Sequence, residues 1–398
     1  MPYKIGHIIA VFNPEAVARD AIALGVDQKE RGWEVEFITG NYVTPALVRK
    51  VQDNGFPVTQ LQSLHKHIHP RNDIVTFWHL LRLLRNRKFD LVHTHLHKAG
   101  IMGRLAAKIA NPQTITIHSV HGASFAPSLP FYENVPYWLL EKIAAPWNDK
   151  YIFVSEDIRD SFIRAKICTM EKTAVSYVPR DLTPYRAVTA LPEEERRARR
   201  RTQGIGAETI VLGNVSRIIP WKGHEYGLRV IAKLKKEFAN IKYVIVGGPR
   251  TPVEKPHMDH LVNLAKSLGI FQDVIFAGWQ TDTPFFYSLF DIYLMTSMLI
   301  EGLGLSVLEA YAAGVPVVGF DWFGAREILG DTPNVVPSGD ISALVAAVKR
   351  EISRLPSSRR HRHEDLPRIR ALQERHSLPR RLAEIAGIYQ DCLRNRKK

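Results

Sequence analysis

The feature that most constrains this chain is a rhythm that runs twice. Apolar runs of four to eight residues alternate with stretches of helical spacing, and the alternation breaks once, near the middle. Ile5 to Phe12, Trp33 to Thr39, Asp90 to His93, Thr114 to Ser119, Tyr151 to Ser155 and Thr173 to Tyr177 read as strands, with Val58 to Leu61 as a short one. Between them, Pro14 to Arg31, Asp73 to Arg87, Ala99 to Ala110, Val135 to Ala144 and Asp157 to Ala165 read as helices. Alternation of this kind predicts an α/β fold with parallel sheets covered by helices on both faces.

The break lies at Pro179 to Gly206, which carries Pro179, Pro184, Pro192 and the charged block Glu193 to Arg201. Strand and helix patterns then resume from Thr209 to Arg354, and a last helix is expected over about Leu378 to Arg394. The expected organisation is a first Rossmann-like domain over residues 1–185 and a linker over 186–206. A second Rossmann-like domain follows over 207–375, and the helix in 376–398 packs back towards the first. In open sheets of this type, ligands bind beyond the carboxyl ends of the strands.

Composition narrows the setting. A chain of 398 residues is long enough for two domains with separate cores. Two cysteines, Cys168 and Cys392, make no disulfide framework, which fits a reducing, cytoplasmic setting. The start, MPYKIGHIIAVF, lacks the pattern of a secretory signal, so none is expected. The apolar stretch Gly302 to Phe320 holds Glu309, Pro316 and glycines, and reads as loop, helix and strand rather than a membrane span. The net charge of +14 is concentrated: residues 60–110 hold nine Lys/Arg against two Asp/Glu, and residues 351–398 hold thirteen against six. Two readings stay open: solvated helix faces, or attraction to an anionic membrane surface, with Phe77 and Trp78 on the basic helix Asp73 to Lys88. No zinc spacing, helix-turn-helix or aromatic strand motif supports nucleic acid.

The strongest chemical signal is Ser297-Met-Leu-Ile-Glu301-Gly302-Leu303-Gly304-Leu305-Ser-Val-Leu-Glu309, followed by Ala-Tyr-Ala-Ala-Gly314-Val-Pro316-Val-Val. Gly302 and Gly304 allow a tight turn just before a helix. That helix N-terminus offers unsatisfied N–H groups and partial positive charge, which suit a diphosphate or a sugar hydroxyl. Glu309 suits a ribose diol, since a carboxylate accepts two hydroxyl hydrogen bonds at once. Glu301 precedes the turn, placed for hydroxyls of a transferred sugar. A second signal, Ser216-Arg217-Ile-Ile-Pro-Trp-Lys222-Gly223, places a planar donor fork and a point charge in the loop after a strand. Together they can neutralise a diphosphate without a metal.

These residues resemble the retaining glycosyltransferases of family 4, the group 1 set with the GT-B fold. Glu301, Gly302, Gly304, Glu309, Gly314 and Pro316 match its E-x7-E and Ala-x-Gly-x-Pro-Val segments, and Arg217-x4-Lys222-Gly223 its pyrophosphate motif. The resemblance implies two Rossmann-like domains facing across a cleft, acceptor side first and nucleotide-sugar side second. It implies transfer with retention from a nucleotide diphosphate sugar, uridine being commoner, to a saccharide or lipid-linked acceptor. Such chemistry serves cell-envelope polysaccharide, lipopolysaccharide or glycolipid synthesis, in the cytoplasm or peripherally on the membrane's inner face. No cofactor and no metal are implied. The implied donor-binding residues are Arg217, Lys222, Gly248, Glu301, Gly302, Leu303, Gly304, Leu305 and Glu309. The implied catalytic residues are His121, Glu301, Arg217 and Lys222. Gly247-Gly248-Pro249 and Val274 to Trp279 match segments near the nucleotide.

There are two departures. Leu303 stands where an aromatic residue is usual, and Val11-Phe12-Asn13-Pro14-Glu15 stands where a Gly-Gly loop is common. His121, at the end of Thr114 to Ser119, is the expected neighbour of the transferred sugar, with His118 a register alternative. His93, His95 and His97 lie at strand spacing on one face, but lack the acid or thiolate that usually completes a zinc site, so none is expected there. His65-Lys-His67-Ile-His69 reads as a polar loop near the acceptor. Rival readings are a nucleotide-sugar epimerase on the same fold and a non-catalytic nucleotide-sugar-binding protein. A nicotinamide dehydrogenase would want G-x-G-x-x-G after the first strand, where Asn13-Pro14-Glu15 stands instead.

Overall fold

The computed structural model describes residues 2–14, 16–65, 69–122, 131–249, 254–298, 302–322, 324–355 and 366–396. It divides into two compact units, Met1–Pro179 with Arg375–Lys398, and Arg180–Glu374.

The first unit holds a seven-stranded sheet in the order β3-β2-β1-β4-β5-β6-β7. Its strands are β1 (Lys4–Phe12), β2 (Glu34–Val43), β3 (Val58–Gln60), β4 (Leu91–His95), β5 (Ile115–Val120), β6 (Lys150–Phe153) and β7 (Thr173–Val175). All pair in parallel. The strand order reverses between β1 and β4, so the loops after them diverge to opposite sides and leave a crevice at their carboxyl ends. Helices α1 (Ala16–Glu30), α2 (Pro45–Asp53), α3 (Pro70–Arg87), α4 (His97–Ala110), α5 (Phe131–Ala144) and α6 (Glu156–Arg164) connect them.

The second unit repeats the plan. Helices α7 (Thr183–Ala187) and α8 (Glu193–Thr202) precede a six-stranded parallel sheet in the order β10-β9-β8-β11-β12-β13. Its strands are β8 (Ile210–Val215), β9 (Ile241–Val246), β10 (Val274–Gly278), β11 (Ile292–Met295), β12 (Val317–Phe320) and β13 (Val335–Val336). The reversal here falls between β8 and β11. Helices α9 (His224–Leu234), α10 (Lys255–Ser267), α11 (Thr283–Tyr287), α12 (Leu305–Ala312), α13 (Ala325–Leu329), α14 (Ile341–Arg354) and α15 (Leu366–Arg375) complete it. Leu212, Ile245, Leu294 and Val318 of the strands pack with Leu228, Ile231, Leu344 and Val348 of α9 and α14.

The unit boundary differs from the expected one. The division falls at Pro179/Arg180, and residues 186–206 are built into the second unit instead of spanning free. The charged block is anchored because Arg196 and Arg200, one turn apart on α8, turn inward. Arg200 Nη2 donates to Asp291 Oδ1 at 2.7 Å and to the Leu289 carbonyl at 2.6 Å, while Asp291 Oδ2 accepts from the Val211 amide at 2.8 Å. Three helices escaped the periodicity, α2, α7 and α15. Each has proline in its first turn, where the missing N–H costs nothing.

The final helix, α16 (Leu378–Asn395), belongs to the first unit. Ser377 caps it by accepting from the Arg380 amide. Ile385, Tyr389 and Leu393 pack against Ile5, Leu91, Ile117 and Ile152 of the sheet. Arg381 holds Asp20 of α1 in a two-pronged pair, with Nε to Oδ1 at 2.6 Å and Nη2 to Oδ2 at 2.7 Å, and both side chains are buried. Its third nitrogen, Nη1, donates to the Ser176 carbonyl. Removing one member of a buried pair strands the other, so Arg381→Ala should destabilise this unit by about 3–5 kcal/mol in urea unfolding. A loss below about 1 kcal/mol, the range of exposed pairs, would contradict the anchoring role.

Candidate active site

In the second unit the loops after β8 and β11 leave the sheet at the strand reversal, and they are joined to each other. Asn214 Nδ2 on β8 donates to the Leu294 carbonyl at 2.8 Å. The loop from Ser216 then makes a single tight turn, Pro220–Lys222, and enters α9 through Gly223 at φ 67°. A Cβ on Gly223 would lie 2.0 Å from the Thr296 carbonyl oxygen, so no other residue lets the two loops approach this closely. Thr296 Oγ1 donates to the Lys222 carbonyl at 3.0 Å, and the Met298 amide to the Trp221 carbonyl at 2.9 Å. Buried His224 braces the turn from below, with Nε2 donating to the Arg217 carbonyl at 3.1 Å beside Ser216 Oγ. Burial holds its pKa down to about 4, so the ring is neutral.

This joining sets the cationic residues. Arg217 is half-buried and makes no ion pair among the described residues. Lys222 lies with its Nζ 4.4 Å from the centre of the Trp221 ring. Gly248 follows β9, next to the bridge between Gly247 and Gly278. Glu301 lies outside the described residues. Gly302 and buried Leu303 lead to Gly304, which opens α12 at φ 73°. The Gly304 carbonyl accepts from the Val307 and Leu308 amides, and the first helical amides belong to Leu305 and Ser306. Next to Gly304 stands a donor that sequence reasoning missed. Trp322 Nε1, just past β12, is buried with no hydrogen-bond partner among the described residues, 3.0 Å from where a Gly304 Cβ would be.

Glu309 sits one turn into α12 and is buried. Its two oxygens have partners the sequence did not reveal: Arg180 Nη2 at 2.5 Å on Oε1, and the Tyr287 hydroxyl donating to Oε2 at 3.0 Å. Burial raises its pKa and Arg180 opposes that rise. Arg180 is steadied by Tyr185, whose hydroxyl also meets Thr283 Oγ1 at 2.8 Å. No motif marks Arg180; only the fold brings the residue after Pro179 to α12.

In the first unit, His121 follows β5 and meets a buried set of histidines at the reversal between β1 and β4. Ring nitrogens of His7, His93 and His95 all lie within 4.8 Å of one another. His93 and His95 share a face as their spacing predicts, but His97 does not join them. It opens α4 instead, and His7 of β1 takes the third place because β1 pairs with β4. Between strand and helix, Leu96 is held at φ 66° and ψ 159°, a region that residues other than glycine seldom enter. His118, the register alternative to His121, is buried with Nδ1 near Thr94 Oγ1 at 2.9 Å. Of the loop histidines, His65 meets Asn41 and Asn72 at 2.9 and 2.8 Å; residues 66–68 lie outside the described residues.

Comparison with known proteins agrees with this architecture. The model of "Glycosyl transferases group 1" matches residues 195–364, and that of "Glycosyltransferase Family 4" matches residues 17–183. N-acetyl-alpha-D-glucosaminyl L-malate synthase of Bacillus anthracis is 24% identical over 94% of this chain and 93% of its own. UDP-Gal:alpha-D-GlcNAc-diphosphoundecaprenol alpha-1,3-galactosyltransferase of Escherichia coli is 25% identical over 64% of each. The crystal structure of Anabaena HepE with UDP and glucose superposes with a TM-score of 0.76 at 18% identity, over 98% of this chain and all of that one. The chain belongs to the group 1 glycosyltransferases of GT-B fold.

The histidines make the first unit sensitive to acid. Burial holds His7, His121 and His376 down to about 4, and His93, His95 and His118 well below their ordinary value. Unfolded rings take a proton near 6.5, so between there and about 4 the unfolded state binds more protons and stability falls with pH. The contribution is complete above about 6.5 and is lost through that window, at up to about 1.4 kcal/mol per pH unit for each ring. The first unit should therefore melt ahead of the second as pH drops from about 7 to about 5. Scanning calorimetry with an unchanged first-unit transition over that range would contradict neutral burial.

Proposed function

We propose that the protein transfers a sugar, with retention, from a nucleotide diphosphate sugar to a saccharide or lipid-linked acceptor in cell-envelope polysaccharide or glycolipid synthesis. The observation that carries this reading is the joining of two loops through Gly223, Thr296 and Met298. It supports a reading in which Arg217, Lys222 and the α12 N-terminus act together beyond one strand reversal. A diphosphate there meets a guanidinium, an ammonium and helix amides, with Trp322 Nε1 as a further donor. Uridine is the favoured nucleotide, in keeping with the UDP in the HepE complex and in the name of the galactosyltransferase. The diphosphoundecaprenol in that second name supports a lipid-linked acceptor.

In this reaction the bond from the anomeric carbon to the phosphate oxygen breaks, and the leaving diphosphate takes the electron pair. Arg217, Lys222 and the α12 amides stabilise that charge as it develops, so the reaction needs no metal. The acceptor hydroxyl attacks from the same face and gives its proton to the departing phosphate oxygen. Glu309 accepts from ribose hydroxyls, Glu301 and His121 serve the transferred sugar, and the backbone of Gly248, Gly302, Leu303, Gly304 and Leu305 lines the donor.

The test is a donor screen that reads released nucleoside diphosphate. Arg217→Ala should lower kcat by about 100- to 1,000-fold, the usual cost of one transition-state donor, with the fold retained. Donor isomerised without acceptor would overturn the reading in favour of an epimerase.

A basic helix supports placement at the inner face of an anionic membrane. On α3, Ile74 and Trp78 are exposed (63% and 61%), with Arg71, Arg82 and Arg85 on the same helix. Such a face binds by apolar burial plus charge. No helix among the described residues is long and apolar enough to cross a membrane. The protein should pellet with vesicles containing phosphatidylserine and leave them in about 1 M salt, where the Debye length is about 3 Å. Equal pelleting with neutral vesicles would remove the electrostatic part.

A further inference from the structure

The geometry points to a relay of hydrogen bonds, from Gln28 through His7 and His95, that fixes which nitrogen of His121 carries its proton. The links run in one line through the first unit. Gln28 Oε1 lies 2.9 Å from His7 Nε2, His7 Nδ1 lies 3.1 Å from His95 Nε2, and His95 Nδ1 lies 3.2 Å from His121 Nε2. The residues come from four separate elements: α1, β1, β4 and the turn after β5. His7 and His95 have no exposed surface and Gln28 almost none.

A neutral imidazole has one N–H and one lone pair. Two facing ring nitrogens at these separations therefore share a single proton, because two lone pairs repel and two N–H groups collide. Polarity then passes from ring to ring without choice. The Gln28 oxygen accepts, so His7 carries its proton on Nε2 and accepts at Nδ1. His95 must donate from Nε2 and accept at Nδ1, and His121 must donate from Nε2. The outermost nitrogen, His121 Nδ1, is left as a bare lone pair. Burial, which keeps these rings uncharged, preserves the one-proton rule at neutral pH.

His93 stands 4.2 Å from His95, centre to centre, and meets the line only at its anchored end, where the Tyr389 hydroxyl also bonds the Gln28 side chain. Its nitrogens go to the Tyr389 hydroxyl and to Ser119 Oγ. The same histidines have the ligand count of a zinc site, yet the chemistry opposes one. The facing nitrogens of His7 and His95 are already joined by a proton, and the carboxylate that acts on His7, Asp20, is bound to Arg381. A buried dication would stand there without a counter-charge.

The consequence concerns ligand chemistry and rests on the proposed role of His121 beside the sugar. With Nδ1 bare, His121 accepts a hydrogen bond from a hydroxyl and offers none to a carbonyl or ether oxygen. Gln28, His7 and His95 are positioning residues for that preference.

The experiment uses the full chain labelled with ¹⁵N-histidine and a long-range ¹H–¹⁵N correlation spectrum at neutral pH, which separates the two tautomers. His121→Asn assigns its signals by their loss. His7, His95 and His121 should each show the Nε2–H form alone. Gln28→Met removes the anchoring oxygen and should turn His121 into a mixture of tautomers. His376→Gln, whose ring bonds the Val178 carbonyl away from the line, should leave His121 as it was. His121 as Nδ1–H or mixed in the unaltered protein overturns the relay, and needs no variant to fold. An unchanged His121 in Gln28→Met overturns it too, as does one equivalent of bound metal by elemental analysis. Because the spectrum needs no activity, a protein with the expected tautomers and no transferase activity refutes the proposed function and leaves the relay standing. Turnover with an unexpected His121 tautomer does the reverse.

Discussion

The contact between Gly223 and the Thr296 carbonyl is the constraint on which the second unit's chemistry depends. A parallel sheet that reverses its order between β8 and β11 sends successive connections to opposite faces, and so opens a crevice beyond those two strands. By itself the reversal gives only an opening. It becomes the candidate site because a residue without a side chain lets the turn after β8 press against the segment after β11. The hydrogen bonds from Thr296 and Met298 then fix the register of the two loops. Charge follows from this backbone contact: Arg217 and Lys222 occupy one loop, and the second leads into the N-terminus of α12.

The first unit solves the same topological problem with different materials. Its reversal, between β1 and β4, is lined by imidazoles where the sequence has no glycine-rich loop. Buried polar rings are costly unless they are satisfied, and here they satisfy one another and a few neighbours. The arrangement fixes the rings closely, because a shift of any one would strand its neighbour's nitrogen. The strained backbone of Leu96 marks the place where β4 must turn at once into α4 to keep His95 in line.

Much of this was legible in the chain because local patterns carried it. Both runs of strand and helix, the Arg217-x4-Lys222-Gly223 turn and the glycines before α12 depend on neighbours in sequence, and periodicity reports neighbours. What escaped was decided across strands. His97 follows the two-residue spacing of His93 and His95, but the strand has ended, so its place beside them goes to His7, eighty-six residues upstream of His93. The charged run Glu193 to Arg201 has the composition of a free linker, while its inward face is set by Asp291 on a distant turn. Arg180 and Trp322 carry no motif at all. Each matters only because α12 comes to lie against it.

Arg180 also changes what Glu309 can do. A buried carboxyl far from any cation favours its neutral form, in which one oxygen becomes a donor and the group loses acceptor capacity. Burial pushes Glu309 that way. The guanidinium on Oε1 pulls it back towards the anion, and the Tyr287 hydroxyl on Oε2 adds a donor that also favours charge. A carboxylate has about four lone-pair positions, and with Tyr185 as a third partner about one is left for an incoming hydroxyl. In the proposed reaction a ribose diol brings two, so one of the three partners gives way. Tyr185 has a second partner in Thr283 Oγ1, so the pair with Arg180 need not be the contact that breaks. That pair opposes the loss of the anion that burial in this pocket promotes.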